Sequence, residues 1–280
     1  MGPVGAGYAL GRLGNVLSVN GKPKEEFPVG SGQRIRLRLI NTCNSRILKL
    51  RFEDLNPLVI ALDGQPVAPH TLKHDALDIA PAQRADLLID MTGTPGATQA
   101  ITEVSQGRVA IAMFVYNQLT PVPLRTSQFK LPENSLQHPE IASARKVDLI
   151  MTGGAMGRVD KITYRGKSYD ITQLVREHGQ MWALNGNAGM PEEPLFSARL
   201  GETIAVRMVN DTRWPHAMHF HGHHFREAHG GAPWRDTLLV DTGETRTIYL
   251  VADNPGKWMI HCHMLEHQAG GMASWFEVKG

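Results

Sequence analysis

Two stretches of this chain are versions of one another, and that duplication limits what it can fold into. Gly32-Gln33-Arg34-Ile35-Arg36-Leu37-Arg38-Leu39-Ile40-Asn41 is echoed by Gly201-Glu202-Thr203-Ile204-Ala205-Val206-Arg207-Met208-Val209-Asn210. Each reads as a strand, because apolar residues recur at the two-residue period that places side chains on alternate faces. Each follows a matching turn signal, Ser18-Val19-Asn20-Gly21 and Ala183-Leu184-Asn185-Gly186. A chain of 280 residues with 42% hydrophobic content supports two domains with cores of their own.

Short strand-like runs fill the rest, separated by Gly, Pro, Asn and Asp. The first series is Val16–Asn20, Arg34–Asn41, Leu48–Glu53, Val59–Asp63, Ala85–Met91 and Val109–Asn117. The second is Val147–Thr152, Trp182–Asn185, Thr203–Asn210, Thr237–Val240, Thr245–Val251, Trp258–His263 and Ser274–Val278. Only Ile171–Glu177 reads as a turn or two of helix. The pattern predicts an all-β protein of two sandwich or barrel domains. Leu119–Lys146 holds four prolines and no periodicity, which marks a linker. The expected organisation is a domain over 1–118, a linker over 119–146 and a second domain over 147–280.

Charge excludes some partners. There are 29 basic and 27 acidic side chains, a net charge of +2, and no basic stripe interleaved with aromatics, so nucleic acid is not an expected partner. The longest apolar run, Val109 to Val115, is far short of a membrane span. The N-terminal Met1–Val16 lacks the basic-then-apolar order of a signal peptide. Of two cysteines, Cys43 reads as a structural residue at a strand end.

The chemistry sits in two clusters near the C-terminus, His216-Ala217-Met218-His219-Phe220-His221-Gly222 and His261-Cys262-His263-Met264-Leu265-Glu266-His267, with Met272 beyond. In extended strands, His219 and His221 share a face, as do His261 and His263, while Cys262 and His216 look the opposite way. His267 and Met272 lie past the strand and can return towards the sulfur. Two imidazoles, a thiolate and a weak axial thioether form a blue-copper donor set. Zinc also takes nitrogen and sulfur ligands, but the soft thiolate and thioether favour copper. Cys262 is joined through backbone to His261 and His263, which gives a short through-bond route between the two groups.

These clusters resemble the C-terminal copper signature of multicopper oxidases, a family that includes laccases and cuprous oxidases. The resemblance implies that His216, Cys262, His267 and Met272 hold type 1 copper. It assigns His219 to type 2 copper and His221, His261 and His263 to type 3 copper of a trinuclear cluster. It further implies two cupredoxin-like Greek-key domains, of which residues 13–118 look like the metal-free middle domain of a three-domain oxidase. Within the duplication, Ala61-Leu62-Asp63-Gly64 is expected opposite His219-Phe220-His221-Gly222, and Met113 opposite Cys262, so the first copy has lost its ligands.

The implied activity is oxidation of phenolic or aromatic compounds, or of metal ions, at type 1 copper, coupled to reduction of O2 to water. Electrons are expected to enter at an exposed imidazole edge of His267 or His216 and to pass through Cys262 to His261 and His263. Cuprous oxidases carry a methionine-rich insert where this chain has only Met151 and Met156 between Met151 and Gln180, which tilts towards organic donors. The family's cluster uses eight histidines. The chain offers four, because none of His70, His74, His138, His178, His223, His224 and His229 forms a further HxH pair. The other four are expected from a missing N-terminal cupredoxin domain, in cis or in trans, so the chain reads as a fragment. Where some relatives place an acid after the last histidine of the second cluster, this chain has Gln268; Glu266 and Asp236 are the substitute proton-relay candidates. Family habit implies a periplasmic or secreted protein. The alternative is an electron-transfer protein using type 1 copper alone. A structural protein on a degenerate oxidase fold would have lost its ligands, and all eight C-terminal positions stand here.

Overall fold

The computed structural model describes residues 11–117, 121–154, 157, 159–228 and 231–280. They form two compact units. One comprises Gly14–Thr42 and Ile47–Asn134; the other comprises Ser135–Gly280 with Cys43–Arg46 and residues 11–13.

The first unit runs β1 (Glu25–Val29), β2 (Arg34–Ile40), β3 (Leu48–Arg51), β4 (Leu58–Leu62), β5 (Gln65–Thr71), β6 (Ala76–Ile79), β7 (Arg84–Asp90), β8 (Thr98–Glu103) and β9 (Val109–Tyr116). One sheet has the order β1-β9-β8-β3-β6 and the other β2-β7-β4-β5. Their inner faces meet in one core, with Leu50, Phe52 and Phe114 from one side and Val59, Leu87 and Ile89 from the other. Full burial of such side chains contributes roughly 1.5–3 kcal/mol each. The alternation of β2 has its expected effect. Ile35, Leu37 and Leu39 pack inward, while Arg34 grips Asp90 at 2.6 and 2.8 Å and Arg36 pairs with Asp86.

The second unit runs β10 (Arg145–Gly153), β11 (Lys161–Tyr164), β12 (Lys167–Asp170), α1 (Ile171–His178), β13 (Trp182–Leu184), β14 (Ser197–Arg199), β15 (Thr203–Asn210), β16 (His216–Phe220), β17 (Phe225–Glu227), β18 (Thr237–Val240), β19 (Thr245–Val251), β20 (Gly256–Cys262), α2 (Leu265–Ala269) and β21 (Ala273–Lys279). Its two main sheets have the orders β13-β10-β15-β19-β17 and β14-β21-β20-β16-β18, with β11–β12 as a hairpin. Phe220 of one sheet meets Phe225 of the other with ring centroids 5.4 Å apart. The helix α1 starts at Asp170, whose carboxylate accepts from Thr172 N, and stops at the left-handed Gly179, as capping chemistry requires. No helix among the described residues is long and apolar enough to cross a membrane.

The duplication extends to individual hydrogen bonds. Asn20-Gly21 and Asn185-Gly186 both make two-residue turns with positive φ at each position, the geometry that asparagine and glycine favour. β2 pairs with β7 as β15 pairs with β19. At the strand ends, Asn41 Nδ2 donates to Ile79 O, and Asn210 Nδ2 donates to Val240 O.

Strand order corrects the expected match between the copies. In the first unit β3 lies between β6 and β8, as β16 lies between β18 and β20 in the second. Leu48 opposes Ile79 as His216 opposes Val240, and Leu50 opposes Glu103 as Met218 opposes Cys262. Leu48, Arg51, Thr102 and Glu103 therefore stand where the second copy has His216, His219, His261 and Cys262. Ala61–Asp63 and Met113 belong to other strands. Met113 lies on β9, which follows Gly107, whereas the counterpart of β20 is β8, which precedes it. The ligand types are still absent from the first copy. Glu103 fills the cysteine's place: it is buried, and its Oε1 accepts from Lys49 N at 3.3 Å and Ser105 N at 2.8 Å.

The proline-rich stretch is divided between the units. Residues 121–134 group with the first, where Arg34 donates to Arg125 O and Ser127 O. Residues 135–146 group with the second, and β10 begins at Arg145, two residues before the strand read from the sequence.

Candidate metal centre

The site is built on the β16–β20 pair. Met218 opposes Cys262 and His219 opposes His261, so Cys262 shares a face with Met218 and His216, and His219 shares one with His261. Both strands end before their HxH units do. His221 lies past β16 and His263 past β20, yet each keeps the alternation through a backbone bond, His221 N to Met259 O at 3.0 Å and His263 N to Ala217 O at 2.7 Å. Gly222 closes the first segment at φ +67, and a Cβ there would meet the Trp258 ring at 2.4 Å, so only glycine fits.

On one side, His216, Cys262 and His267 converge in a fully buried group whose donor atoms lie within 4.8 Å of one another. Both Nδ1 atoms stand 3.7 Å from Cys262 Sγ and 3.0 Å from each other. The short α2 carries His267 back over the sulfur. Met272 follows, buried, with its N–H on His267 O at 2.9 Å and its carbonyl accepting from Cys262 N at 3.1 Å. The Trp182 indole covers both rings, with centroids 4.6 Å from His267 and 5.0 Å from His216.

The tautomer of His216 is fixed from behind. Its Nε2–H donates to Thr212 Oγ1 at 2.9 Å, and that hydroxyl donates to Asn210 Oδ1 at 2.7 Å. Nδ1 is left as a lone pair facing the sulfur, the usual service of an outer partner to a ligating imidazole. Burial, and then the neighbouring His267, hold the His216 pKa well below its ordinary value. Burial pushes the Cys262 thiol up to about 12, against the pull of the backbone amides of Met264 and Ala217. The metal-free thiol is thus neutral. Two amides and the Nδ1 atoms of two imidazoles surround a sulfur that ionises only if a cation compensates it. A soft, thiophilic cation suits this donor set.

Four imidazoles gather on the other side. Ring centroids are 4.9 Å apart for His219–His221, 5.1 Å for His221–His261, 5.3 Å for His261–His263 and 5.7 Å for His219–His263. His219 Nδ1 bonds Asp236 O and Thr237 Oγ1, each at 3.0 Å. His261 Nδ1–H donates to Cys262 O at 2.9 Å, which turns its Nε2 to within 3.0 Å of His221 Nε2. Burial lowers the His261 pKa to about 4; the Cys262 carbonyl opposes this and the neighbouring imidazoles add to it. Imidazole nitrogens brought this close to one another make a pocket that suits cations.

Other expectations met mixed outcomes. Neither imidazole of the sulfur group presents an exposed edge: His216 is 0% and His267 1% exposed. The indole of Trp182 and the turns of α2 cover them. Glu266 faces away from the four imidazoles, accepting from Ser45 Oγ at 2.8 Å with Arg12 at 3.5 Å. Burial would raise its pKa, but the Arg12 amide and the Ser45 hydroxyl bring it below the usual range. Asp236 does lie beside His219, with Oδ1 3.6 Å from Nδ1. His70 sits at the exposed end of β5, and His74 follows in a 3-10 turn. His229 and Met156 lie outside the described residues. Sequence reasoning missed Thr212, Thr237 and Trp182, whose parts depend on tertiary contacts that no spacing announces.

Two family models, each described as multicopper oxidase, match this chain over residues 8–117 and 164–280. The chain belongs to the multicopper oxidases. The multicopper oxidase MmcO of Mycobacterium tuberculosis is 29% identical over 89% of this chain and 47% of its own length. The crystal structure of Lac15 from a marine microbial metagenome is 34% identical with a TM-score of 0.65, over 90% of this chain and 56% of that one. The multi-copper oxidase from Pseudomonas thermotolerans superposes with a TM-score of 0.77 at 23% identity, over 97% of this chain and 61% of that one, a likeness of fold. This oxidase chain thus spans about half the length of the curated relatives it matches. Its fold is cupredoxin-like in both units, and membership implies copper as its metal, in keeping with the donor set.

Proposed function

We propose that this chain carries the donor-oxidising half of a copper oxidase, with His216, Cys262, His267 and Met272 holding type 1 copper and His219, His221, His261 and His263 contributing to a trinuclear cluster. Copper held by the first group would supply one-electron oxidation of phenolic, aromatic or metal-ion donors, and copper held by the second would support the reduction of O2 to water. The protein's own part is positional. Cys262 shares its peptide backbone with His261 and His263, so the two ligand groups are linked by a few covalent bonds. Thr212 sets the His216 tautomer and Trp182 keeps water off the His216 and His267 rings. Asp236 and Thr237 aim His219, and Asp236 is the nearer acid for a proton relay.

The observation that carries this reading is the convergence of the buried thiol and two imidazole Nδ1 atoms on one side of β20, with four imidazoles on the other. Because the chain supplies four of the eight histidines implied by the family, the remainder would come from a further cupredoxin domain in cis or in trans. Export to the periplasm or beyond belongs to the same proposal.

The test is copper loading of the purified chain, with metal counted per chain and O2 uptake followed with a phenolic donor. An intense visible thiolate band together with a nearby open set of imidazole-bound copper supports the reading. One blue copper and no uptake, even with the other half supplied in trans, would favour electron transfer alone. No coloured band would refute both.

A further inference from the structure

An open cavity of about 560 Å³ lies against α2. Its wall includes Gln268 and Ala269, the residues that directly follow His267. On the facing side Gln180 Nε2 donates to Ala269 O at 3.1 Å, two residues before the Trp182 indole that packs on His267. Tyr164, Met190 and Leu265 make the cavity apolar, and its polar groups are Gln180, Gln268 and one charged side chain, Arg165. Among the described residues, no carboxylate lines it.

Arg165 is an unusual residue for its place. It occupies the first position of the turn joining β11 to β12, at φ +51, followed by Gly166 at φ +72. Three other two-residue turns in this chain have the same geometry, and they use Asn20-Gly21, Asp63-Gly64 and Asn185-Gly186. Those are the residues that tolerate the left-handed conformation, whereas a long side chain there is disfavoured. Departures of this kind cluster at functional sites. The guanidinium rests over the Tyr164 ring, 5.1 Å from its centroid, and no acid pairs with it among the described residues. The Tyr164 ring is itself braced by His178, 5.1 Å away, and by Tyr169 at 6.5 Å. Arg165 also borders a neighbouring cavity, whose wall includes Glu192 and Glu193.

We propose that this cavity is the docking site for aromatic donors bearing an anionic substituent, with the donor ring against Tyr164 and α2 and its carboxylate on Arg165. The proposal rests on the reading of the thiolate group as the electron-accepting site. An aromatic ring is matched by the apolar wall and a carboxylate by the unpaired fork of the guanidinium. A cationic aromatic amine would meet like charge.

The test compares the chain with Arg165→Asn, which installs the residue used by two of the sister turns and so keeps the fold. Copper-loaded protein is mixed with vanillate or its methyl ester, and bleaching of the visible band is followed by stopped flow. We expect the carboxylate-to-ester rate ratio to fall about tenfold in the variant, the scale of one charged hydrogen bond at a half-open site, and Arg165→Lys to retain part of it. An unchanged ratio would overturn the proposal and leave the copper site standing. Binding of benzoate to the metal-free chain gives a second reading that needs no copper. Its Kd should weaken about tenfold in Arg165→Asn, and equal Kd values would overturn the proposal whatever the metal does.

Discussion

Thr212→Val tests whether the His216 ring is held from outside the ligand group. Valine matches threonine in shape, so no cavity opens; only the hydroxyl is removed. That hydroxyl is buried, accepts from His216 Nε2 at 2.9 Å and donates to Asn210 Oδ1 at 2.7 Å. Its loss leaves a buried imidazole N–H without an acceptor. Asn210 Oδ1 still receives Thr212 N at 3.1 Å, so the donors left behind are the histidine N–H and Trp214 N, which reaches the hydroxyl at 3.2 Å. A stranded buried donor costs about 1–3 kcal/mol, equivalent to a drop in Tm of roughly 5 °C for a unit of this size. The ring is then free to turn or to change tautomer, and loss of such an outer partner lowers metal affinity about 10–100-fold. Thermal melts of the metal-free chain and copper competition against a chelator of known affinity measure the two effects separately. Thr212→Ser should recover both. A Val variant with wild-type Tm and wild-type affinity would show that Thr212 does not hold the ring, and the account of the His216 tautomer would fail.

Cys262→Ser should abolish the visible thiolate band, read by absorption of copper-loaded protein; retained colour would exclude Cys262 as a ligand. Met272→Leu should keep the colour and raise the reduction potential, since a weak axial thioether tunes it, as potentiometry would record. The metal-free chain should lose stability as pH falls. The folded His261 pKa is depressed from 6.5 to about 4, so the unfolded state takes up the proton first; this stabilising contribution is full above about pH 6.5 and gone near pH 4. Urea midpoints across that range would check it, and a flat profile would contradict the burial of neutral imidazoles.

The strands that could be read from the sequence were those with a core on one face. β2, β7, β15 and β19 announce themselves through alternation; β7, β15 and β19 lie inside their sheets and β2 pairs along its whole length with β7 at an edge. β5 was invisible because Pro66 and Pro69 interrupt it; it survives as the outer strand of its sheet, where a missing N–H harms no ladder. β1, with two glutamates and Pro28, is also an edge. Val16–Asn20 failed for the opposite reason: apolar by composition, it keeps Val16 exposed and makes only the Val19–Lys22 bridge. In the site, parity sorted His216 and Cys262 from the other imidazoles before any coordinates. It did not foresee α2, five residues too short for a helical period to register. Nor could it foresee Trp182, which reaches the rings from a distant strand.

The pair of amides that reaches Cys262 from Ala217 and Met264 has its twin in the first unit, where Lys49 and Ser105 present theirs to Glu103. One half of the duplicated chain therefore fills that cradle with a carboxyl oxygen of its own, covalently attached. The other half waits for an ion from outside before its sulfur can take the same part. Stripping copper with a chelator should consequently split one melting event into two, leaving the carboxylate half indifferent and drawing down the half whose cohesion is leased from the surrounding metal supply.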